Sequence, residues 1–323
     1  MRVSVVVPLY NKAPYLRRCL ESIVAQTFVD FETIVVDDGS TDGGVDIAAH
    51  FADPRFRLIR QVNAGPGAAR NRGISEAAGE FLAFLDADDA WLPDYLRCGL
   101  DLFDGPGRDA ATVSSGYIEE PGGVAPQALW RARGLTEGIH RVTPQTRPLE
   151  LVHMLAFMSP WNTIVRAKVV KHWGGFYAHG ARYAEDATLW LKVLLNEPVW
   201  FHFRPVVRFH REASSLSNPF RGPRPIEPFL LDPEHAARAC PAELRTLLAR
   251  FYAHRACKTA AVMGSWGRRG QARQLLRRFV SWRDWRTPYL LLALLGCTPL
   301  GKPAGAVVRS VLSKRRRDGG RMV

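Results

Sequence analysis

The chain has 323 residues, 47% hydrophobic and 23% charged, which is globular composition with length for one large or two modest domains. Its five cysteines (Cys19, Cys98, Cys240, Cys257, Cys297) are scattered, odd in number and without a CxxC pair, so a disulfide framework or zinc site is disfavoured and a reducing compartment is expected. The net charge of +13 is local, because Pro241 to the end holds 18 Lys+Arg against 3 Asp+Glu (+15), leaving 26 against 28 (−2) for the first 240 residues.

Met1-Arg2 runs straight into the strand-like Val3-Ser-Val-Val-Val7, so no cleaved leader is expected, and Pro8 stops this first strand. From Ala13 to Gln26 the apolar pairs Tyr15/Leu16, Cys19/Leu20 and Ile23/Val24 recur every four residues and predict an amphipathic helix. A second apolar strand, Thr33–Val36, ends in Asp37-Asp38-Gly39-Ser40. A helix carrying Ile47, Ala48 and Phe51 follows, then a strand over Phe56–Ile59 and a helix from Pro66 to Ala78. Asn63-Ala-Gly65-Pro-Gly67-Ala-Ala-Arg70 resembles a dinucleotide-binding loop, but Arg70 stands where the third glycine belongs and there is no GKS or GKT loop. The stretch reads instead as a turn opening a helix, with Arg70 either solvated or near a phosphate site.

Phe81-Leu-Ala-Phe-Leu85 is the next buried strand, and it runs into Asp86-Ala-Asp88-Asp89. Alternation along a strand would put Asp86 and Asp88 on one side, where two carboxylates repel unless a cation lies between them. Mg²⁺ or Mn²⁺ with substrate phosphates suits such oxygen ligands at a sheet edge. The alternative is a solvated acidic turn before the helix at Pro93. Strands alternating with helices predict a mostly parallel sheet flanked by helices, with ligands at the strand C-termini.

Residues 119 to 148 are rich in Gly, Pro and Arg and read as a loop region and lid. A helix over Leu149–Phe157, a strand over Asn162–Val165 and a turn at Trp173-Gly-Gly-Phe176 come next. Glu185-Asp186 opens a helix bearing Leu189, Trp190, Val193 and Leu194, and this acidic pair is either a cap or part of a site. Val199–Phe209 is a further strand, leading to His210 and a Ser-rich loop. Asn218–Pro241 is proline-dense, a linker or wrapping arm. Leu244–Met263 and Gln271–Trp282 then predict two basic helices, followed by the short apolar run Tyr289–Leu295 and the terminal Lys314-Arg-Arg-Arg317. No apolar run approaches the ~20 residues that span a bilayer.

Taken together, these pieces resemble the family 2 glycosyltransferases of the GT-A fold. The resemblance rests on Ser4-Val-Val-Val-Pro-Leu-Tyr-Asn11, Gln26-Thr-Phe-Val-Asp-Phe-Glu32, Val36-Asp-Asp-Gly-Ser-Thr-Asp42, Asn63 with Gly65, and Ala69-Arg-Asn-Arg-Gly73. It continues through Phe84-Leu-Asp-Ala-Asp-Asp89, Gly174-Gly-Phe176 and Glu185-Asp186 with Leu189-Trp190, and so covers residues 3 to 217 in order. It implies an α/β fold of GT-A type with a basic helical C-terminal extension. The divisions would be 1–118 for nucleotide-sugar binding, 119–217 for acceptor and catalysis, and 218–323 for the Pro-rich linker and basic helices.

The resemblance also implies an inverting, metal-dependent transfer, of hexosyltransferase type, from a nucleotide sugar, usually UDP-linked, to an acceptor hydroxyl. In that scheme Asp38 bonds the base, and Pro8, Leu9 and Tyr10 shape its pocket. Asp86 lies near the ribose, Asp88 with Asp86 holds Mn²⁺ or Mg²⁺ on the diphosphate, and Arg70 sits near the nucleotide. Asp186 is the base, with Glu185 beside it. Two departures stand out: Tyr177 follows Gly-Gly-Phe where an acidic residue is common, and His210, the candidate further metal ligand, sits in a loose match to Arg-x-His-x-x-Ser.

The competing classes are a nucleotidyltransferase, which would carry a Gly/Lys-rich N-terminal loop, and a nucleotide-sugar-binding module with a decayed site, which would be expected to lack an acidic residue. The chain has Pro8-Leu-Tyr-Asn11 and keeps Asp38, Asp86, Asp88 and Asp186. The basic C-terminal quarter leads to the expectation of a peripheral enzyme on the cytoplasmic face of an anionic membrane. It would act on a glycan or lipid-linked glycan in cell-surface polysaccharide or glycolipid synthesis. No nucleic-acid motif is present, and nucleic acid is not an expected partner.

Overall fold

The computed structural model describes residues 1–181, 183–213, 223, 225–281, 287 and 289–307. Strands β1 (Val3–Leu9), β2 (Phe31–Asp37), β3 (Phe56–Arg60) and β4 (Phe81–Phe84) form the parallel part of one sheet, in the order β3-β2-β1-β4. Helices α1 (Ala13–Val24), α2 (Gly44–Ala49) and α3 (Pro66–Glu76) make the crossovers. β1 and β2 read as near-continuous apolar runs because both of their faces are covered.

Beyond β4 the sheet is mixed. β5 (Ala90–Trp91), α4 (Tyr95–Asp104), β6 (Thr112–Glu120), α5 (Gln127–Ala132), β7 (Gly138–His140), α6 (Pro148–Phe157), β8 (Thr163–Arg166), α7 (Ala167–His172), α8 (Glu185–Asn196) and β9 (Val199–His210) follow in the chain. β8 lies antiparallel between β4 and β6, and β6 runs parallel to β9. The other edge of β9 is shared by β7 at Val199–Phe201 and β5 at Val207–Arg208. The expected α/β sheet with flanking helices is therefore present, with its parallel ladders concentrated in the first half. The lid region of the sequence reading contains α5 and β7, and β7 is tied into the sheet. Gly and Pro masked these short elements, since a three-residue strand has no readable period.

Residues Met1–Val142 and His153–Ser217 form one compact unit, and Thr143–Val152 with Asn218–Val323 form a second. In the second unit α9 (Pro228–Leu231) and α10 (Glu234–Ala237) lead to α11 (Arg245–Ser265), α12 (Arg269–Phe279) and α13 (Leu290–Gly296). α11 is its core. Phe251, Ala256, Cys257 and Ala260 are fully buried, and Glu227 accepts from Arg255 and Thr259. Lys314–Arg317, Trp282, Asn218 and the serines after Ala213 lie outside the described residues.

Candidate active site at the sheet edge

The ends of β1 and β2 are laced together by the polar residues of two loops. Asn11, held at φ 50°, accepts from the Thr41 N–H at 2.8 Å, and its own N–H donates to Ser40 Oγ at 3.1 Å. Asp42 accepts from the Ala13 and Gly44 N–H groups, and Asp37 from that of Ser40. This lacing explains why Tyr10-Asn11 and Asp37-Asp-Gly-Ser-Thr-Asp42 occur together: short polar side chains satisfy loop N–H groups that no strand pairs.

Asp38 is 2% exposed. Its carboxylate accepts from Gln61 Nε2, the Ala64 N–H and the Gly65 N–H, each at 2.8 Å. A carboxylate has about four acceptor sites, so one remains for a ligand once this loop is held. Among the pocket residues expected from sequence, Tyr10 is 45% exposed and Pro8 partly so. The Leu9 side chain is fully buried, and its carbonyl accepts the Asp38 N–H at 2.8 Å. Leu9 thus shapes this edge through its backbone.

The acidic turn follows β4. The strand stops at Phe84, and the Asp89 N–H donates to the Asp86 carbonyl at 2.9 Å, so strand alternation does not set these side chains. Their partners do. Asp86 accepts from Arg70 Nη2 at 2.5 Å, and Asp88 from the Lys12 ammonium at 2.5 Å, while Arg18 donates to the Asp88 carbonyl at 2.6 Å. Asp89 is buried and accepts the His210 N–H at 2.7 Å, which β5 makes feasible by pairing with β9 beside it. Burial and the Asp86 charge hold the Asp88 carboxyl above its ordinary value, against the pull of Lys12. Burial, then Asp88 and Asp86, push Asp89 further still. Gln26 fastens the exit of this turn, donating to the Leu92 carbonyl and accepting from the Leu96 N–H. Neither Lys12 nor Gln26 was singled out as a site residue, because a lone Lys or Gln near a helix end carries no periodic signal.

Arg70 joins the acidic turn to the second carboxylate pair. It is 4% exposed, with Nη1 on Glu185 Oε1 and Nη2 on Asp86 Oδ1, both at 2.5 Å. Its guanidinium lies over the Phe176 ring at 5.3 Å. Burial disfavours its charge, but Asp86, Glu185 and Asp186 more than offset this and hold its pKa above the ordinary value. α3 reaches this position because its first turn lacks side-chain bulk: a Cβ on Gly67 would stand 2.5 Å from the Tyr177 carbonyl oxygen and 3.2 Å from Glu185 Cγ. Asn71 then pairs with both the N–H and the carbonyl of Phe176, each at 2.8 Å. The Tyr177 N–H donates to the Glu185 carbonyl at 3.1 Å.

Ala184, at φ 52°, turns the chain into α8, so Glu185 is buried against Arg70 and Asp186 is half-buried. Burial first and the Glu185 charge second push the Asp186 carboxyl up to about 7, with Arg70 pulling the other way. The pair is thus split: Glu185 is ion-paired and Asp186 is poised to exchange a proton near neutral pH. Glu185 is thus more than a surface cap, since it is buried with its carboxylate on the Arg70 guanidinium.

The donor set fits a hard divalent cation in one respect. Asp86, Asp88 and Asp89 lie in one turn at the sheet edge, with the Asp88 and Asp89 carboxyls raised by burial, and Mg²⁺ or Mn²⁺ is commonly held by one or two carboxylates completed by phosphate and water. Among the described residues no group of three or more His, Cys, Asp or Glu side chains forms a preassembled metal cage. His210 is brought to the turn by its backbone, its Nδ1 contacts Glu212 Oε1 at 2.9 Å, and its buried Nε2 has no hydrogen-bond partner among the described residues.

The family described as glycosyl transferase family 2 matches residues 4–174, more than half of the chain. The Escherichia coli K12 protein named uncharacterized glycosyltransferase YibD is 48% identical over 94 residues, 28% of this chain and 27% of that one. The succinoglycan biosynthesis protein ExoW of Rhizobium meliloti is 46% identical over 101 residues, 29% and 32% of the two chains. The matched stretch spans about a quarter to a third of these relatives. Among solved structures, Staphylococcus aureus TarS 1-349 in complex with UDP superposes with a TM-score of 0.63 at 20% identity, covering 96% of this chain and 92% of that one. The mannosyltransferase PcManGT of Pyrobaculum calidifontis, in complex with GDP-Man and Mn²⁺, gives 0.55 at 22% identity over 92% and 86%. These structural likenesses show a shared fold, and the match over residues 4–174 shows that the chain belongs to glycosyl transferase family 2.

Proposed function

We propose that the chain transfers a sugar, with inversion, from a nucleotide sugar to an acceptor hydroxyl. The donor is UDP-linked, and the acceptor is a glycan of cell-surface polysaccharide or glycolipid synthesis. The UDP complex of TarS supports the donor class, and the succinoglycan role named for ExoW supports the setting. The observation that carries the proposal is the Arg70 bridge, which ties Asp86 of the acidic turn to Glu185 and leaves the adjacent Asp186 carboxyl at about 7.

A hydroxyl is a poor nucleophile at neutral pH, and a base whose pKa lies near the working pH takes its proton most effectively. Asp186 performs that step. Glu185 and Arg70 orient the N-terminal turn of α8, and the Glu185 charge keeps Asp186 basic. Asp88 and Asp86 would hold Mn²⁺ or Mg²⁺, whose chemistry when bound is Lewis-acid stabilisation of the diphosphate leaving group. Lys12, now on Asp88, and Arg18 bring further positive charge to that place from the first turns of α1. Asp38 and the Gln61–Gly65 loop form the wall against which the base stacks or bonds.

A donor-hydrolysis screen over UDP-, GDP- and dTDP-sugars, with Mn²⁺ and with chelator, tests the proposal. Metal-dependent turnover of a UDP-sugar is the expected result. Nucleotide binding without turnover of any donor and with any acceptor mixture would instead mark a decayed module.

A further inference from the structure

The second unit carries surface chemistry of its own. Between Arg245 and Phe279 there are nine Lys and Arg and no Asp or Glu. On α12, Ala272 and Leu275 are buried, while Arg269, Arg273 and Arg277 recur every four residues along one exposed stripe. Like charges at that spacing repel, and α12 has no acidic residue to offset them. Arg273, Arg277 and Arg278, with Gly270 and Gln274, line an open surface groove. Arg273 also donates from Nε and Nη2 to the Cys297 carbonyl, at 3.1 and 2.8 Å, so the stripe is pinned beside the end of α13.

α13 is Leu-Leu-Leu-Ala-Leu-Leu-Gly. One face is seated on α11 by glycines, since a Cβ on Gly264 would stand 2.2 Å from Gly296 Cα. The other face is open: Leu291 is 82%, Leu292 56% and Leu294 49% exposed. The chain then turns 118° into the helical segment Gly301–Val307, with Leu300 and Val307 each 64% exposed. A single exposed leucine is ordinary, but several on one short hairpin make a contact surface. No single described helix is long and apolar enough to cross a membrane.

We propose that α12 and the α13 hairpin seat the protein on an anionic phospholipid surface. Leu291, Leu292, Leu294 and Leu300 enter the acyl boundary, and Arg273 and Arg277 take the headgroup phosphate. Exposed leucines on α13, with Arg273 bonded to the carbonyl that follows that helix, suit a bilayer interface, where the headgroup anion lies just above the acyl chains. The Arg273 guanidinium has five N–H donors, so its bond to Cys297 leaves others for a phosphate oxygen. The charge complementarity selects an anionic lipid over an uncharged apolar partner, and the leucines select a lipid over a nucleic acid. The proposal stands on the second unit alone and is independent of the transferase reading.

Flotation of the full-length protein with phosphatidylcholine vesicles, with and without phosphatidylglycerol, tests it. Binding should require phosphatidylglycerol and weaken with salt. Arg277→Gln, which leaves the α12–α13 bond intact, should lower partitioning about 5-fold, and Arg273→Gln/Arg277→Gln about 10- to 30-fold. Leu291→Ser/Leu292→Ser changes only exposed side chains and should abolish binding with an unchanged circular dichroism spectrum. Absence of vesicle binding, equal binding to phosphatidylcholine alone, or wild-type binding by the leucine variant would overturn the proposal. So would displacement of the wild-type protein from vesicles by inorganic phosphate at constant ionic strength, which marks a free-phosphate pocket. Preferential binding of duplex RNA, or a concentration-dependent dimer that the leucine variant alone breaks without vesicle binding, would replace the lipid with that partner.

Discussion

Replacing Asp186 by Asn should inactivate the protein and stabilise it at the same time. The carboxyl is pushed from its ordinary value near 3.8 up to about 7 by burial and by Glu185. A folded-state value above the unfolded one means that the native state binds more protons between the two. Stability is therefore full below the unfolded value and falls as pH rises toward 7. At 1.36 kcal/mol per pH step the upper bound on the loss is about 4 kcal/mol by pH 8, and water reaching this half-buried carboxyl brings the expected figure to about 2 kcal/mol. Asparagine keeps the shape without the charge. The gain from Asp186→Asn should therefore be under about 1 kcal/mol at pH 5 and about 2 kcal/mol at pH 8, a rise in Tm of roughly 4–8 °C for a unit of this size. Transfer should fall by about 10²–10⁴-fold with donor affinity retained. Differential scanning calorimetry from pH 5 to 8 and initial rates on the same samples make the test. A helix cap would give the opposite pattern, with activity near normal and a stability change flat in pH, and that result would refute the base assignment.

Arg70→Met should strand Asp86 and Glu185 and cost about 3–5 kcal/mol by denaturant unfolding, with Arg70→Lys recovering only part because one ammonium cannot fork to both carboxylates. Asp88→Ala should remove Mn²⁺-dependent UDP binding in calorimetry while leaving the melting profile intact, and unchanged affinity would withdraw Asp88 from the metal assignment. Gly67→Ala should drive a Cβ toward the Tyr177 carbonyl and displace the turn that holds Glu185, costing about 1–3 kcal/mol and lowering kcat more than donor affinity. Wild-type stability and turnover there would mean that the loop yields freely.

Much of the first unit could be read from the chain because its cues are local. β1, β2 and β4 are short apolar runs, α1 has a four-residue repeat, and acidic residues end two strands, so each element carries its own period. The same holds for the identity of Asp38, Asp86, Asp88, Glu185 and Asp186 as notable carboxylates, since charge directly after an apolar run or at a helix start is visible without a fold. β5, β6 and β7 carry no such period. β5 and β7 are two and three residues long and pair with β9, while four of the six buried positions at the start of β6 (Thr112, Ser114, Ser115 and Gly116) are small or polar.

What the sequence by itself determined was the order of strands and helices, the acidic strand ends and the segregation of positive charge beyond Pro241. Only the tertiary structure decided which charges meet. Arg70 and Glu185 are 115 positions apart, Lys12 and Asp88 76, and Asp89 and the His210 N–H 121, distances over which no periodicity can carry a pairing. The pairings arise because β1, β4 and α3 converge at one sheet edge and glycine lets α3 approach the turn before α8. The raised Asp186 pKa follows from that convergence, since desolvation and the Glu185 charge act through space and have no trace in a linear chain.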